Sequence, residues 1–323
     1  MSHFLLQLVW FGRFGNRMHQ YAYGATYARL NNFEFWLPAE WEGTRLFGHQ
    51  PHRVVENDEI RNALAPVSHL SSRVAATYEA RMSTQAHMDA VRKYYPEAAL
   101  IDADRDPDPY LKQDRSLCNA SGCFFNSALY PRMSRKHLQA LCEWSDEVKR
   151  LDAYKRYSDL QGLYDVAHLR RGDIADADFN RANRQEYSVI SQESYLRAFR
   201  KFGFSPDSVD WVSDDFTGRW HVGRKVRWRG GWQYPTGSEY AADIVFDWVA
   251  DFLKLYFART IFRANSSFSW WAAALSPTAA VFSPVIDKRH IYGVDGTQEI
   301  TVDFVEGNHP HWQYGKPDIL LGD

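Results

Sequence analysis

Short apolar runs alternate with helical patterns through the second half of the chain, and this alternation limits the fold more than any other feature of the sequence. The apolar runs that predict strands lie at 162–167, 209–213, 225–228, 261–264 and 281–284. Helical patterns separate them at 192–202, 243–258 and 265–275. Because strands and helices that follow one another in turn build parallel sheets covered by helices, we predict a doubly wound, mostly parallel α/β sheet.

The first half of the chain begins with the same kind of unit. A strand is predicted at 5–11, a glycine loop at 12–16, a helix at 17–30 capped by Asn16, and a strand at 33–38. Residues 40–160 follow a less regular pattern. At 323 residues the chain is long for a single hydrophobic core. We therefore predict an N-terminal α/β domain at 1–160 and a second domain at 161–323.

Two arginines follow the strand at 162–167, in the hexapeptide His168-Leu169-Arg170-Arg171-Gly172-Asp173. Open α/β sheets bind their ligands at such strand ends. Arginine suits bidentate binding of phosphate, and its charge does not titrate away. A solvated surface loop is the simpler explanation for an isolated Arg-Arg pair. The position after a strand, together with the partners described next, favours a site for a doubly charged anion such as a diphosphate.

Polar residues also follow two further strands of this half. Asp214 and Asp215 come directly after the strand at 209–213, where a carboxylate can accept two hydrogen bonds from guanine; an ordinary turn is the alternative. After the strand at 261–264, a helix begins with Asn265, Ser266, Ser267, Phe268 and Ser269. The amide groups and positive dipole of a helix start bind phosphate, although the same residues also make an ordinary helix cap.

The glycine loop at 12–16 occupies the corresponding place in the first half. A Gly-x-x-Gly pattern after a strand is common where a sheet meets a helix, so it is a weak phosphate signal by itself. Arg13 and Asn16 lie beside Gly12 and Gly15, at the same kind of strand end. We therefore expect Arg13, Gly15 and Asn16 to contribute to the binding site.

Charge and cysteine content narrow the classes of function. The net charge of −2 and the isoelectric point near 6.6 exclude the basic surface of a nucleic-acid or anionic-membrane binder. The apolar run at 5–11 is too short to span a membrane and lacks the basic start of a signal peptide. Cys118, Cys123 and Cys142 show no metal-binding spacing. A reduced, cytoplasmic protein is therefore expected, although Cys118 and Cys123 can pair in principle.

These motifs, in this order, resemble the motif series of the α-1,2-fucosyltransferases. The segments that carry the resemblance are 12–16 with 20–22, then 168–173, 213–215 and 264–271. The hexapeptide at 168–173 is shared with α-1,6- and protein O-fucosyltransferases, whereas the segment from Asn265 to Trp271 is specific to the α-1,2 group. The sequence departs from the family pattern at Arg17, His19 and Ala272.

The resemblance implies a GT-B-like architecture of two α/β domains, the C-terminal one Rossmann-like. It implies GDP-β-L-fucose as the donor, a hydroxyl of a glycan such as O2 of a galactoside as the acceptor, inversion at the fucose C1, and no metal or other cofactor. Arg170, with Arg171 as a second candidate, would neutralise the β-phosphate as GDP leaves. His168 and Asp173 would hold the arginine loop.

Some questions stay open at the level of sequence. Asp176, Asp178 and Glu186 follow the arginine loop as candidate bases for the acceptor hydroxyl, and none stands out. A fucosyltransferase of another linkage and a transferase of another GDP-sugar are alternatives. A lectin-like protein is a third, because 12 Trp, 18 Tyr and 20 Phe are typical of sugar-binding surfaces as well as of cores. The oligomeric state is also open.

Overall fold

The computed structural model describes residues 4–7, 14–37, 41–49, 52–54, 89, 92, 99–102, 117–121, 133–171, 189–213, 248–286 and 299–309. The chain divides into two compact units between Ser145 and Asp146. Among the helices within these ranges, none is both long enough and apolar enough to cross a membrane.

The division between the units lies upstream of the sequence-predicted boundary at residue 160. Residues 146–160 belong to the second unit, and their side chains contact it. The ring of Tyr154 contacts the ring of Phe257 edge-on, with centroids 5.3 Å apart. The ring of Tyr157 lies 6.0 Å from that of Tyr164, just before β6. Residues 146–160 therefore pack as part of the second unit.

The first unit is built on a five-stranded sheet. Its elements are β1 (Phe4–Gln7), α1 (Phe14–Asn31), β2 (Glu34–Leu37), α2 (Gly43–Leu46), β3 (His52–Val54), β4 (Ala99–Asp102), β5 (Leu117–Ser121) and α3 (Arg135–Leu141). The strands pair in the order β3-β2-β1-β5-β4, and every pairing is parallel. The chain leaves β1 toward β2 and later returns on the other side of β1. Strand β1 therefore lies at the topological switch of this sheet.

Helix α1 begins at Phe14, earlier than the predicted start at Arg17. Gly15 and Asn16 lie in its first turn, so the prediction that Asn16 caps this helix is wrong. The reason is tertiary: Phe14 is buried, and its ring stacks on the ring of Trp41 with centroids 6.0 Å apart. Burial of this aromatic side chain outweighs the low helix propensity of Gly15.

The second unit contains the predicted alternation within its described ranges, and the strand predicted at 225–228 lies outside them. Its elements are α4 (Asp146–Lys149), α5 (Asp152–Asp159), β6 (Asp165–Leu169), β7 (Val189–Ile190), α6 (Gln192–Phe202), a 3₁₀ turn (Pro206–Ser208), β8 (Val209–Ser213), α7 (Val249–Tyr256), β9 (Thr260–Phe262), α8 (Ser267–Leu275), β10 (Ala280–Val285), β11 (Glu299–Ile300) and β12 (Asp303–Glu306). The main sheet has the order β12-β10-β9-β6-β8, with β12 antiparallel and the other strands parallel. Strands β7 and β11 form a separate parallel pair. The predicted α/β class, with two units built on mostly parallel sheets, is confirmed.

Helices cover both faces of the main sheet in the second unit. Successive residues of β6 point to opposite faces. Ala167 and Leu169 pack into a core that includes Phe199 of α6. His168 points the other way, and its ring lies 5.8 Å from that of Phe268 in α8. The strand is therefore buried on both faces, which explains its lack of polar alternation.

Candidate active site

The carboxyl ends of β6 and β9 form the topological switch of the second unit. Strand β6 lies between β8 and β9 in the sheet. From β6 the chain passes to β8 on one side, and β9 then begins the half of the sheet on the other side. Ligands of open α/β sheets bind in the crevice at such a switch. A side chain joins the two strand ends there, because Arg170 Nη1 donates to the Asn265 carbonyl oxygen at 3.2 Å.

The start of α8 brings a positive helix end to the same place. The helix begins at Ser267, and Ser266 is its N-cap, with Ser266 Oγ accepting a hydrogen bond from the Phe268 N–H at 3.3 Å. Ser269 Oγ donates to the Ser266 carbonyl oxygen, also at 3.3 Å. These two hydroxyls stabilise the helix start. The amide groups and the dipole of α8 therefore reinforce the positive charge of Arg170.

His168 is buried near the end of β6. Burial, and after it the charges of Arg170 and Arg263, lower the pKa of His168 to about 3. The imidazole is therefore neutral at physiological pH, so it can form hydrogen bonds with a ligand without adding charge. The hydroxyl of Tyr195 donates to the His168 carbonyl oxygen at 2.8 Å and fixes the main chain at this strand end.

The free energy of unfolding is expected to fall as the pH is lowered, in part because of His168. In the unfolded chain the pKa of His168 returns toward 6.5. Between pH 6.5 and the lowered pKa of the folded protein, His168 therefore takes up a proton only in the unfolded state. From pH 7.5 to pH 5.5 this linkage lowers the free energy of unfolding by about 1.4 kcal/mol. The His168→Asn variant lacks this component. Urea denaturation of both proteins at the two pH values measures the difference; an identical pH dependence would contradict the buried, neutral imidazole.

The two arginines of the hexapeptide extend to opposite sides of the sheet. Arg170 continues the direction of His168 and reaches Asn265, at the start of α8. Arg171 is buried on the other side, where its Nη2 donates to the Ile190 carbonyl oxygen of β7 at 2.7 Å. Of this pair, it is therefore Arg170 that lies beside the helix start.

A third arginine of this region, Arg263, was not identified from the sequence. It follows β9 directly and is fully buried, and its Nη2 donates to the His309 carbonyl oxygen at 2.6 Å. Its charge is one of the causes, after burial, of the lowered pKa of His168. The sequence contains a signal for it, since Arg263 interrupts the apolar run between Phe262 and Ala264. A charged residue in a segment that forms the core is rarely buried unless it has specific partners there.

Two buried side chains at this switch have polar atoms that no hydrogen bond satisfies within the described part of the chain. They are Oδ1 and Nδ2 of Asn265 and Nδ1 of His168. Buried polar groups in native proteins are nearly always hydrogen-bonded to protein, water or a ligand. An amide and a neutral imidazole beside Arg170 therefore suit a ligand that carries phosphate and hydroxyl groups.

Several residues predicted for the site lie outside the described ranges. They are Arg13, Asp173, Asp176, Asp178, Glu186, Asp214 and Asp215. Gly15 and Asn16 lie in α1 of the first unit. Across the ranges that the structure describes, no group of three or more His, Cys, Asp or Glu side chains is arranged to hold a metal ion.

Comparison with known proteins gives matches among solved structures. No protein-family model matches the sequence, and no curated protein matches it. The fucosyltransferase NodZ from Bradyrhizobium is 12% identical and aligns over 95% of this chain and 99% of its own, with a TM-score of 0.46. A mutant of Arabidopsis thaliana FUT1 in complex with GDP is 10% identical over 87% of this chain and 70% of its own, with a TM-score of 0.45. POFUT1 in complex with GDP is 14% identical and aligns over 86% of this chain and 98% of its own, with a TM-score of 0.41.

NodZ has also been co-crystallized with GDP, as an α-1,6-fucosyltransferase. At these identities and TM-scores the matches carry no argument about the function of this chain. Function therefore has to be argued from the residues at the switch between β6 and β9.

Proposed function

We propose that this protein is an inverting glycosyltransferase that moves L-fucose from GDP-β-L-fucose to a hydroxyl of a glycan acceptor. The observation that carries the proposal is the position of Arg170 between two strand ends, beside the start of α8 and the unsatisfied polar groups of Asn265 and His168. A fixed cation and a helix start together suit a diphosphate. The amide and the imidazole suit the directional recognition of phosphate or sugar oxygens.

Negative charge grows on the β-phosphate as the bond from fucose C1 to the phosphate oxygen breaks. Arg170, oriented by the Asn265 carbonyl, neutralises that charge, and an interaction that strengthens in the transition state lowers the barrier. The acceptor oxygen bonds to C1 from the opposite face, which inverts the configuration, and its proton is lost to a base. The neutral state of His168 leaves Arg170 as the charged partner of the phosphate.

The remaining predicted residues have specific places in this proposal. The candidate bases are Asp176, Asp178 and Glu186. Asp214 or Asp215 binds guanine, Asp173 holds the arginine loop, and Arg13, Gly15 and Asn16 are donor-binding residues of the first unit. The reaction uses no metal ion or other cofactor, and the protein acts in the cytoplasm.

Transfer to O2 of a galactoside is the finer part of the proposal. It rests on the sequence resemblance of the segment from Asn265 to Trp271 to α-1,2-fucosyltransferases. A fucosyltransferase of another linkage would use the same donor groups. Linkage analysis of the product therefore decides between them, and competition between GDP-fucose and GDP-mannose tests the donor sugar.

A lectin-like protein is the alternative from another class, and it rests on the high aromatic content. Four tryptophans, Trp41, Trp144, Trp270 and Trp271, are buried. Because a lectin stacks sugars on exposed rings, these four side chains are not available for that role.

GDP is expected to raise the melting temperature of the protein more than ADP or UDP does. At a free concentration about a hundred times its Kd, GDP stabilises the folded state by about 2.7 kcal/mol. Differential scanning fluorimetry with the three nucleotides at equal concentration, with and without EDTA, measures the effect. Equal shifts with all three would contradict a guanine-specific site, and a shift abolished by EDTA would contradict metal-independent binding.

The reaction itself is tested by incubating the protein with GDP-fucose and a panel of galactosides. Release of GDP that depends on the acceptor is the expected result. Glycan binding without any response to GDP would favour the lectin-like alternative.

A further inference from the structure

The side chain of Arg171 is committed to the main chain of its own unit. Arg171 Nη1 donates to the Arg170 carbonyl oxygen at 3.0 Å, and Nη2 donates to the Ile190 carbonyl oxygen at 2.7 Å. The side chain is 2% exposed. Because the guanidinium is planar and its donors have a fixed geometry, these two contacts determine where the Arg170 carbonyl lies relative to β7.

The second anchor point, Ile190, is itself held firmly. Ile190 pairs with Ile300 of β11, and both side chains are buried in the core that contains Phe199. The following residue, Ser191, donates its N–H to the Ile300 carbonyl oxygen at 2.8 Å. The β7–β11 pair is therefore a rigid support on the side of the sheet opposite α8.

An acidic residue of the same support balances the buried charge. Glu299 of β11 places Oε1 4.0 Å from Arg171 Nη2. A buried guanidinium is tolerated when carbonyl oxygens and a carboxylate satisfy it. Protein groups therefore engage both terminal nitrogens of Arg171.

We infer that Arg171 is a positioning residue, which acts through Arg170 and does not bind phosphate itself. This inference rests on the proposed function. Arg171 holds the main chain of Arg170 against the β7–β11 pair, and the side chain of Arg170 leaves the opposite side of the chain toward Asn265. Freeing that main chain displaces the cation from the leaving phosphate, and displacements of about 1 Å cost large factors in rate.

A double-mutant cycle distinguishes the two roles. The proteins are wild type, Arg170→Ala, Arg171→Met and the double variant, and the readouts are kcat for fucosyl transfer and Kd for GDP. Arg171→Met is expected to lower kcat about tenfold or more where Arg170 is present. In the Arg170→Ala background, Arg171→Met is expected to lower kcat less than about twofold, because the guanidinium that Arg171 positions is then absent.

The variant Arg171→Lys gives a second test that separates a positioning role from a phosphate-binding role. Arg171→Lys keeps a charge that can bind phosphate, but it cannot bridge the carbonyls of Arg170 and Ile190. We expect it to be impaired as strongly as Arg171→Met. The exposed Arg200, which pairs with Glu193 at 2.7 Å, gives the matched control Arg200→Met, with unchanged kcat.

The inference would be overturned if the kcat losses of the two single variants multiplied in the double variant. It would also be overturned if Arg171→Lys were clearly more active than Arg171→Met. If Arg171→Met does not fold, the same cycle with Arg171→Lys decides. Wild-type protein that binds no GDP would overturn the proposed function, and this inference with it. GDP binding combined with multiplying losses would overturn only the role assigned to Arg171.

Discussion

Replacing Arg170 by alanine is expected to lower kcat for fucosyl transfer about a hundred- to a thousandfold, the usual cost of removing one group that stabilises transition-state charge. The loss should fall on kcat more than on the KM for GDP-fucose, because the interaction strengthens as GDP leaves. Arg170→Lys should recover part of the rate, since it keeps the charge but not the forked geometry that reaches Asn265. Initial rates of GDP release at saturating donor and acceptor measure the effect.

The control for Arg170 is Arg200→Ala in α6. Arg200 is exposed and pairs with Glu193, so its removal changes the net charge equally without touching the strand ends. Its kcat should match that of the wild type. Turnover near the wild-type rate in Arg170→Ala would remove this residue from the mechanism.

Phe262→Ala is expected to lower the free energy of unfolding by about 3–5 kcal/mol. Phe262 is fully buried at the end of β9. Its ring lies 4.7 Å from that of Phe199, 4.8 Å from that of Phe282 and 5.2 Å from that of Phe204. Truncation therefore leaves a cavity among rings that belong to different elements and cannot all move inward together. Urea denaturation followed by tryptophan fluorescence measures the change.

Two further variants serve as comparisons for Phe262→Ala. Phe262→Leu should cost less than Phe262→Ala, because more of the volume stays filled. Leu163→Ala, at a side chain that is 69% exposed, should leave stability within about 0.5 kcal/mol of the wild type. A Phe262→Ala variant as stable as Leu163→Ala would show that this aromatic cluster is not the core of the second unit.

Helix α6 shows why some elements can be read from sequence alone. It spans Gln192–Phe202, the predicted bounds. Ser191 Oγ accepts from the Ser194 N–H at the start, and Gly203 takes a left-handed conformation, with φ of 80°, at the end. Both signals are local, because a cap and a C-terminal glycine act within one turn of the helix.

Other elements depend on partners far away in the chain. The early start of α1 follows from the stacking of Phe14 on Trp41, which no local pattern contains. Strand β12 was not predicted either: the last strand predicted from the sequence lies at 281–284, whereas Asp303–Glu306 pairs antiparallel with β10. Pairing of this kind is decided by which edge of the sheet is available.

For the candidate site, the sequence by itself determined which polar residues follow which strands, and it predicted the helix start near Ser266, because strand ends and caps are local properties. Only the tertiary structure decided how Arg170 and Arg171 differ. The alternation of an extended chain sends neighbouring side chains to opposite faces, and the strand order places α8 on one face and the β7–β11 pair on the other. Tertiary structure also brought Arg263 close enough to affect the pKa of His168, because β6 and β9 are adjacent in the sheet although they are far apart in the chain.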